Sequence, residues 1–246
     1  MSIELIYILI ILFIGSFIQG SSGFGFGLFS MGLLSLILTV KDSILLILGL
    51  TILISIRILI KYYRYICWKE LVPILCAALV GRIFAFFFIG QFGTSEMMKQ
   101  WLGFVLLGLV VYLFLKPKKE LKHLPFSEHL LFPVLVGLAG GFVGGAFAVG
   151  GPFFVVYFLM FYQDKRNYNA NLQVTFFLSN LFTLLMHGLH GDVTPTLTIY
   201  ILLGSLVVLL GVSTGLKWFE RLPKEFIQRI AYSIVLVAGI NLLLFS

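Results

Sequence analysis

The residues with the chemistry to hold a ligand fall into two clusters. Gln19, Gly20, Ser21, Ser22, Gly23, Phe24, Gly25 and Gly27 form the first; Gly144, Gly145, Val149, Gly150, Gly151 and Pro152 form the second. Glycine lets backbone approach a ligand closely and take positive φ. A helix that begins just beyond such a cluster presents free N–H groups and the positive end of its dipole, and both attract an anion. The sequence predicts such starts near Gly25 to Leu28 and near Pro152. A proline suits the first helical position because the N–H it lacks would be unpaired there. Gln19, Ser21 and Ser22 add side-chain donors to the first cluster, whereas the second offers backbone alone. The first is therefore the expected source of selectivity. Small residues also serve close helix packing, but two matched clusters inside overlong apolar runs favour a binding site.

Two polar side chains stand out inside apolar runs. Arg82 lies well within Leu71 to Ile89, where a cation is costly and a functional role is the default. Two readings stand: counter-ion for an anionic substrate, or a bundle-facing or snorkelling side chain satisfied by carbonyls or headgroups. Arg57, one turn from Lys61, reads as snorkelling. Asn171, Gln173, Thr175, Ser179 and Asn180 place polar groups in Ala170 to His187. Asn180, near the middle, is the candidate to line a path, with interhelical hydrogen bonding as the competing explanation.

Other chemistry is thinly represented. His187 and His190 precede Gly191 and Asp192 at the end of a run. This is a weak metal signal, with a proton-sensing role for His187 as the alternative. No Asp or Glu sits mid-run, so a carboxylate proton relay is not expected and the coupling ion stays open. Ser21 and Ser22 lack a histidine partner, which argues against an intramembrane hydrolase. Cys67 and Cys76 read as reduced and structural. The expectation is a non-enzyme with no cofactor and no metal.

These residues must be carried by membrane helices. With 60% hydrophobic and 11% charged residues in 246, the chain has too little polar surface to coat a soluble globule. Its net charge of +7 sits in short breaks between apolar runs, which fits the positive-inside rule and not nucleic-acid binding. Runs of spanning length are Ser43 to Ile60, Leu71 to Ile89, Trp101 to Leu115, Ala170 to His187, Leu197 to Leu216 and Ile230 to Phe245. Ile3 to Val40 and Leu130 to Tyr162 are too long for one span and contain the glycine clusters. As helix the second would reach about 50 Å at ~1.5 Å per residue, more than one crossing and less than two. Half-segments of about 10 to 14 residues, folded as a re-entrant hairpin, are the expected solution. No cleaved leader is expected before the first run.

The two halves look duplicated. FIQGSSGFGFGLF from Phe17 aligns with FVGGAFAVGGPFF from Phe142, and Gly81 and Lys99 align with Gly211 and Arg229. This divides the chain into a first membrane repeat at 1–116, a basic linker at 117–129 and a second repeat at 130–246. Charge distribution decides how the second long run lies. If it crosses once, the basic residues divide almost evenly. If it returns to its own face, Lys61, Arg64, Lys69, Lys116, Lys118, Lys119, Lys122, Lys165, Arg166, Lys217, Arg221, Lys224 and Arg229 share one side, against Lys41 and Lys99. That asymmetry marks the richer side as cytoplasmic. The fold expected is an all-α integral membrane protein of two inverted repeats, each with a glycine-broken, hairpin-like first segment followed by three transmembrane helices.

At FIQGSSGFGFGLFSMGLL (Phe17 to Leu34) and GLAGGFVGGAFAVGGPFFVVYFL (Gly137 to Leu159) the sequence resembles the TauE/SafE family of sulfite and organosulfonate exporters. A basic loop after the second segment and LPKEFIQR before the last helix extend the likeness over the chain. It departs from the family pattern at Gly32, where a proline is expected, and at Ala148, where a glycine is common. The resemblance implies that Gln19 to Gly27 and Gly144 to Pro152 line an anion path, and that the substrate is sulfite, sulfoacetate or another small organic anion moved mostly outward. The expectation is a multi-pass protein of the cytoplasmic membrane with basic loops inside, partnered by lipid and a small anion, with a homodimer among its open oligomeric states. An uptake permease for another anion and a non-transporting assembly protein are the alternatives.

Overall fold

The computed structural model describes residues 3–93, 95–115, 131–162 and 164–218, with positions 233, 236, 237, 239–241, 243 and 244. The described residues form helices joined by short turns, with no strand among them: α1 (Ile3–Ser22), α2 (Phe26–Leu34), α3 (Val40–Tyr62), a 3-10 turn (Tyr63–Tyr65), α4 (Trp68–Phe92), α5 (Glu96–Leu115), α6 (Leu131–Phe147), α7 (Gly151–Phe161), α8 (Lys165–His190) and α9 (Pro195–Trp218). By length and apolar composition α1, α3, α4, α8 and α9 can each cross a membrane; the apolar stretch of α5, Met97–Tyr112, is shorter. The linker 117–129 and most of Ile230 to Phe245 lie outside the described residues.

Local chemistry sets the boundaries. Thr39 caps α3 by accepting from the Asp42 N–H at 3.1 Å, and Asp164 caps α8 by accepting from the Arg166 N–H at 2.7 Å. Gly191, at φ 83°, closes α8 in the left-handed conformation glycine tolerates best. The two overlong runs break where the glycines cluster, after Ser22 and after Phe147. Neither divides into equal halves. α1 has 20 residues and α2 nine, while α6 has 17 and α7 eleven. The breaks lie near the middle of each run, and α2 is the shorter arm of the first because it ends at Leu34, ahead of the turn that leads to α3.

Small residues join the helices into two close seams. Along one, α4 lies parallel to α6: Gly137 abuts Ile74 and Ala77, Gly81 abuts Leu138 and Phe142, and Gly145 abuts Ala85. Along the other, α1 lies parallel to α9: Gly204 abuts Leu12, Gly211 abuts Phe13 and Phe17, and Gly215 abuts Phe17 and Gly20. A β-carbon at most of these glycines would strike backbone, so the seams close only with glycine there. The partners correspond: Gly81 meets Phe142, and its aligned residue Gly211 meets Phe17.

Polar contacts mark the two ends of the bundle. At one, Lys41 at the start of α3 pairs with Asp192 after α8 at 2.7 Å. At the other, Arg166 donates to the Tyr65 hydroxyl at 2.9 Å and the Cys67 N–H donates to Asn171 Oδ1 at 2.9 Å. From these contacts, α1 enters from the Lys41–Asp192 end and α2 leads back to it. α6 enters from the Tyr65–Arg166 end and α7 returns there, where the Tyr157 hydroxyl donates to the Glu70 carbonyl at 3.5 Å. The two breaks point toward each other.

Candidate anion-binding site

The breaks meet. A β-carbon on Gly27 would strike the Ala148 carbonyl, and one on Gly151 would lie 3.8 Å from the Phe24 ring. The first break turns on Gly23 and Gly25, at φ 88° and 113°. The second turns on Ala148, at φ 57°, the only non-glycine residue with positive φ among those described. Beyond the turns, α2 starts at Phe26 and α7 at Gly151, with Pro152 in the first turn. These are the starts that the glycine and proline pattern predicts. Both helices therefore begin at the junction, which places the positive ends of their dipoles there.

A cavity of about 30 Å³ lies at this junction, room for a water or two or for one compact ion. Of the residues singled out from sequence, Gln19, Phe24, Gly25, Gly27, Arg82, Gly144, Val149, Gly150, Gly151, Pro152 and Asn180 line it. Thus both glycine clusters, from opposite halves of the chain, share one chamber with the buried arginine. Gly20, Ser21, Ser22, Gly23 and Gly145 stand off the wall. Gly20 and Gly145 serve the helix seams. The Ser21 and Ser22 hydroxyls donate to the Ile18 carbonyl at 3.0 and 2.7 Å, with Ser22 also reaching the Phe24 carbonyl at 2.6 Å. Both side chains therefore cap the end of α1 and do not present donors to the cavity. The Gly23 carbonyl accepts from Gln173 Nε2 at 2.7 Å.

Arg82 is 2% exposed. Its Nη2 donates to Asn180 Oδ1 at 2.8 Å, its Nη1 reaches Thr183 Oγ1 at 3.5 Å, and its Nε has no partner. Among the described residues no carboxylate pairs with it. Gly144 makes room: a β-carbon there would lie 2.8 Å from Nη2. The result is a buried cation, neutralised by no acid, at the wall of a cavity that two helix N-termini already make positive.

Gln173 lies behind the first break and holds it in place. Its Oε1 accepts from Gln19 Nε2 at 3.2 Å and from the Ser55 hydroxyl at 3.1 Å, while its Nε2 also donates to Asn169 Oδ1 at 3.1 Å. It thereby ties the first break to α3 and α8. Sequence reasoning placed Gln173 on the right helix without that role and passed over Thr51, Phe176 and Thr183. Thr51 and Phe176 line the cavity. Thr183 follows Asn180 by three residues, a spacing that puts both on one helix face and was the available signal.

The histidines gather beyond Thr183. His187 Nδ1 lies 2.6 Å from Asp192 Oδ2, and His190 Nδ1 lies 3.1 Å from Asp192 Oδ1. Burial works against ionisation of Asp192, but hydrogen bonds from Lys41, His187 and His190 outweigh it and hold the carboxyl well below the usual carboxylate range. No group of residues among those described is placed to hold a metal ion.

Broken helices whose ends meet inside the bundle are a recurring feature of secondary transporters. The chain belongs to the TauE/SafE sulfite exporter family: the model of the family described as "Sulfite exporter TauE/SafE" matches residues 7–242. No curated protein and no solved structure matches it. It is a membrane protein of a transporter family.

Proposed function

We propose that the protein is a secondary transporter that exports a small sulfur-containing oxyanion, sulfite being the leading candidate, across the cytoplasmic membrane. The observation that carries this reading is Arg82, buried at a cavity wall without a carboxylate partner. An isolated buried charge is costly unless something compensates it, and a bound anion does so. The small cavity favours a compact oxyanion over an organosulfonate with a long tail. In this reading the anion sits on the N–H groups of α2 and α7 with its charge toward Arg82, and Asn180 orients the guanidinium.

The same reading takes the halves as inverted repeats. Equivalent contacts of Gly81 with Phe142 and Gly211 with Phe17, and helix pairs entering from opposite ends, support it. Alternating access then rocks one repeat against the other. The Tyr65–Arg166 end, adjoining the more basic loops, is cytoplasmic.

Sulfite counterflow in proteoliposomes tests the proposal. The wild type should exchange sulfite, and Arg82→Leu should lose roughly 100-fold while retaining its size-exclusion profile, as expected for a charge-assisted contact worth ~1.5–3 kcal/mol. Absence of exchange by the wild type with sulfite, sulfate, sulfoacetate and taurine would sink the reading, as would full activity of the Leu variant.

A further inference from the structure

The polar face of α8 does not end at the central cavity. Asn180, Thr183 and His187 follow one another at i, i+3 and i+7, a spacing that stacks them on one side of a helix. The first two face Arg82, at 2.8 and 3.5 Å. The third continues the stripe toward the Lys41–Asp192 end and is 0% exposed.

Its chemistry is one-sided. Asp192 holds Nδ1 at 2.6 Å, which puts the ring proton on Nδ1 and leaves the lone pair on Nε2. Nε2 is buried and has no partner. The titratable and charged groups facing the ring are Asp192 from the loop, His190 from α8 and Lys41 from α3. From α4 the Phe86 ring meets it edge-on, with centroids 4.8 Å apart. Lys41 and Asp192 already balance each other. A proton added to Nε2 would create a cation with an N–H and no acceptor, an arrangement that is costly away from water. An oxyanion arriving from the Arg82 site supplies both acceptor and countercharge.

Resting on the transport reading above, we propose that His187 is a second anion-binding station between the central cavity and the Lys41–Asp192 end, and that Nε2 takes up a proton when the anion stands beside it. The proton comes from water at that end and returns there when the anion leaves. Neutral His187 closes the path, and the protonated form holds the anion on its way through.

Sulfite binding to the purified full-length protein, measured from about pH 8 to about pH 6, tests this against His187→Gln, which can still donate to Asp192 but cannot titrate. Sulfite titrates in the same range, but equally for both proteins, so the difference between the profiles isolates the residue. The wild type should gain about 5-fold or more in affinity over the variant on acidification, the lower bound of ordinary coupling between two ligands. In histidine-labelled wild type, the nitrogen resonance of His187 Nε2 should move toward its protonated position when sulfite is added near the acid end. Coincident profiles, or an unmoved resonance in a protein that binds sulfite, overturn the inference alone. A wild type that binds neither sulfite nor, tried in its place, sulfate, sulfoacetate or taurine at any pH overturns the transport reading and this inference with it.

Discussion

The two breaks solve one problem in opposite ways. In the alignment of the halves, Gln19 corresponds to Gly144, and Arg82, next to Gly81, corresponds to Val212, next to Gly211. At the first break the broken helix carries the polar side chain, Gln19, and its packing partner α9 carries the short apolar Val212. At the second break α6 carries Gly144, and the long polar side chain, Arg82, arrives from α4. Gly144 leaves the space the guanidinium fills. In the repeat reading proposed above, corresponding positions yield a chamber with one cation and one carboxamide in place of two cations, which would repel each other in a small dry volume.

The sharpest way to break this comparison is to exchange the polar groups one at a time. Arg82→Leu removes the one charged side chain among the described residues of the wall and should cost roughly 100-fold in sulfite exchange. Gln19→Leu removes a neutral hydrogen bond to Gln173, worth ~0.5–1.5 kcal/mol, and should cost about 10-fold or less. Exchange assays on both variants, normalised to folded protein, decide between them. An equal loss from the two would mean that the charge is no more important than the carboxamide.

The junction between the breaks is the next point of attack. Gly27→Ala would drive a methyl into the Ala148 carbonyl, and backbone gives way less readily than a side chain. Overpacking of this kind costs ~1–3 kcal/mol. The variant should lower the apparent melting temperature by several degrees and depress exchange, whereas Gly188→Ala, where a β-carbon would meet nothing, should not lower melting and should raise it slightly, because alanine suits a helix better than glycine. A Gly27 variant that melts with the wild type would show that the two tips separate easily.

Part of this architecture was legible in the chain. The glycine clusters announced both breaks, Pro152 announced the start of α7, and the length of each apolar run required that it fold back or tilt. The position of Arg82 in its run marked it for function. What the chain did not display was the direction of side chains around a helix end. Ser21 and Ser22 lie in the first cluster and have the right chemistry, yet their hydroxyls satisfy carbonyls at the end of α1, because a helix terminus inside a membrane has no water to do so. The role of Gln173 was hidden for a related reason. Its partners Gln19, Ser55 and Gly23 lie far away in sequence, and only the packing of α1, α3 and α8 brings them together.

The ends of the bundle differ as the breaks do. The Lys41–Asp192 end joins α3 to the loop after α8 by a charge pair, whereas the Tyr65–Arg166 end joins its elements by hydrogen bonds of Tyr65 and Cys67 with Arg166 and Asn171. Because the Asp192 carboxyl is held below its ordinary range, the stability it contributes is present above the unfolded-state value near ~4 and is lost as pH falls toward the folded-state value. Asp192→Asn should therefore melt a few degrees below the wild type near neutrality, consistent with ~1–3 kcal/mol for charge-assisted bonds. The gap should close on acidification below about pH 4. Melting curves of both proteins across that range test the sign; a gap that widens in acid would contradict the arrangement.

The smallest effect bears on the backbone of the breaks themselves. The first turns on glycines, while the second places Ala148 at φ 57°, where an L-residue carries ~1–2 kcal/mol of strain. Ala148→Gly would relieve it, against ~0.5–1 kcal/mol of extra conformational entropy lost on folding. The net expectation is a gain of about 1 kcal/mol or less and a rise of a degree or two in apparent melting temperature. Exchange offers a second readout. If the strained turn keeps the second break rigid while the first moves, the relaxed variant should exchange sulfite more slowly despite melting higher. If both breaks move alike, the exchange rate should stay close to wild type while the small melting gain remains, and the difference between Ala148 and the glycines of the first break would carry no functional weight.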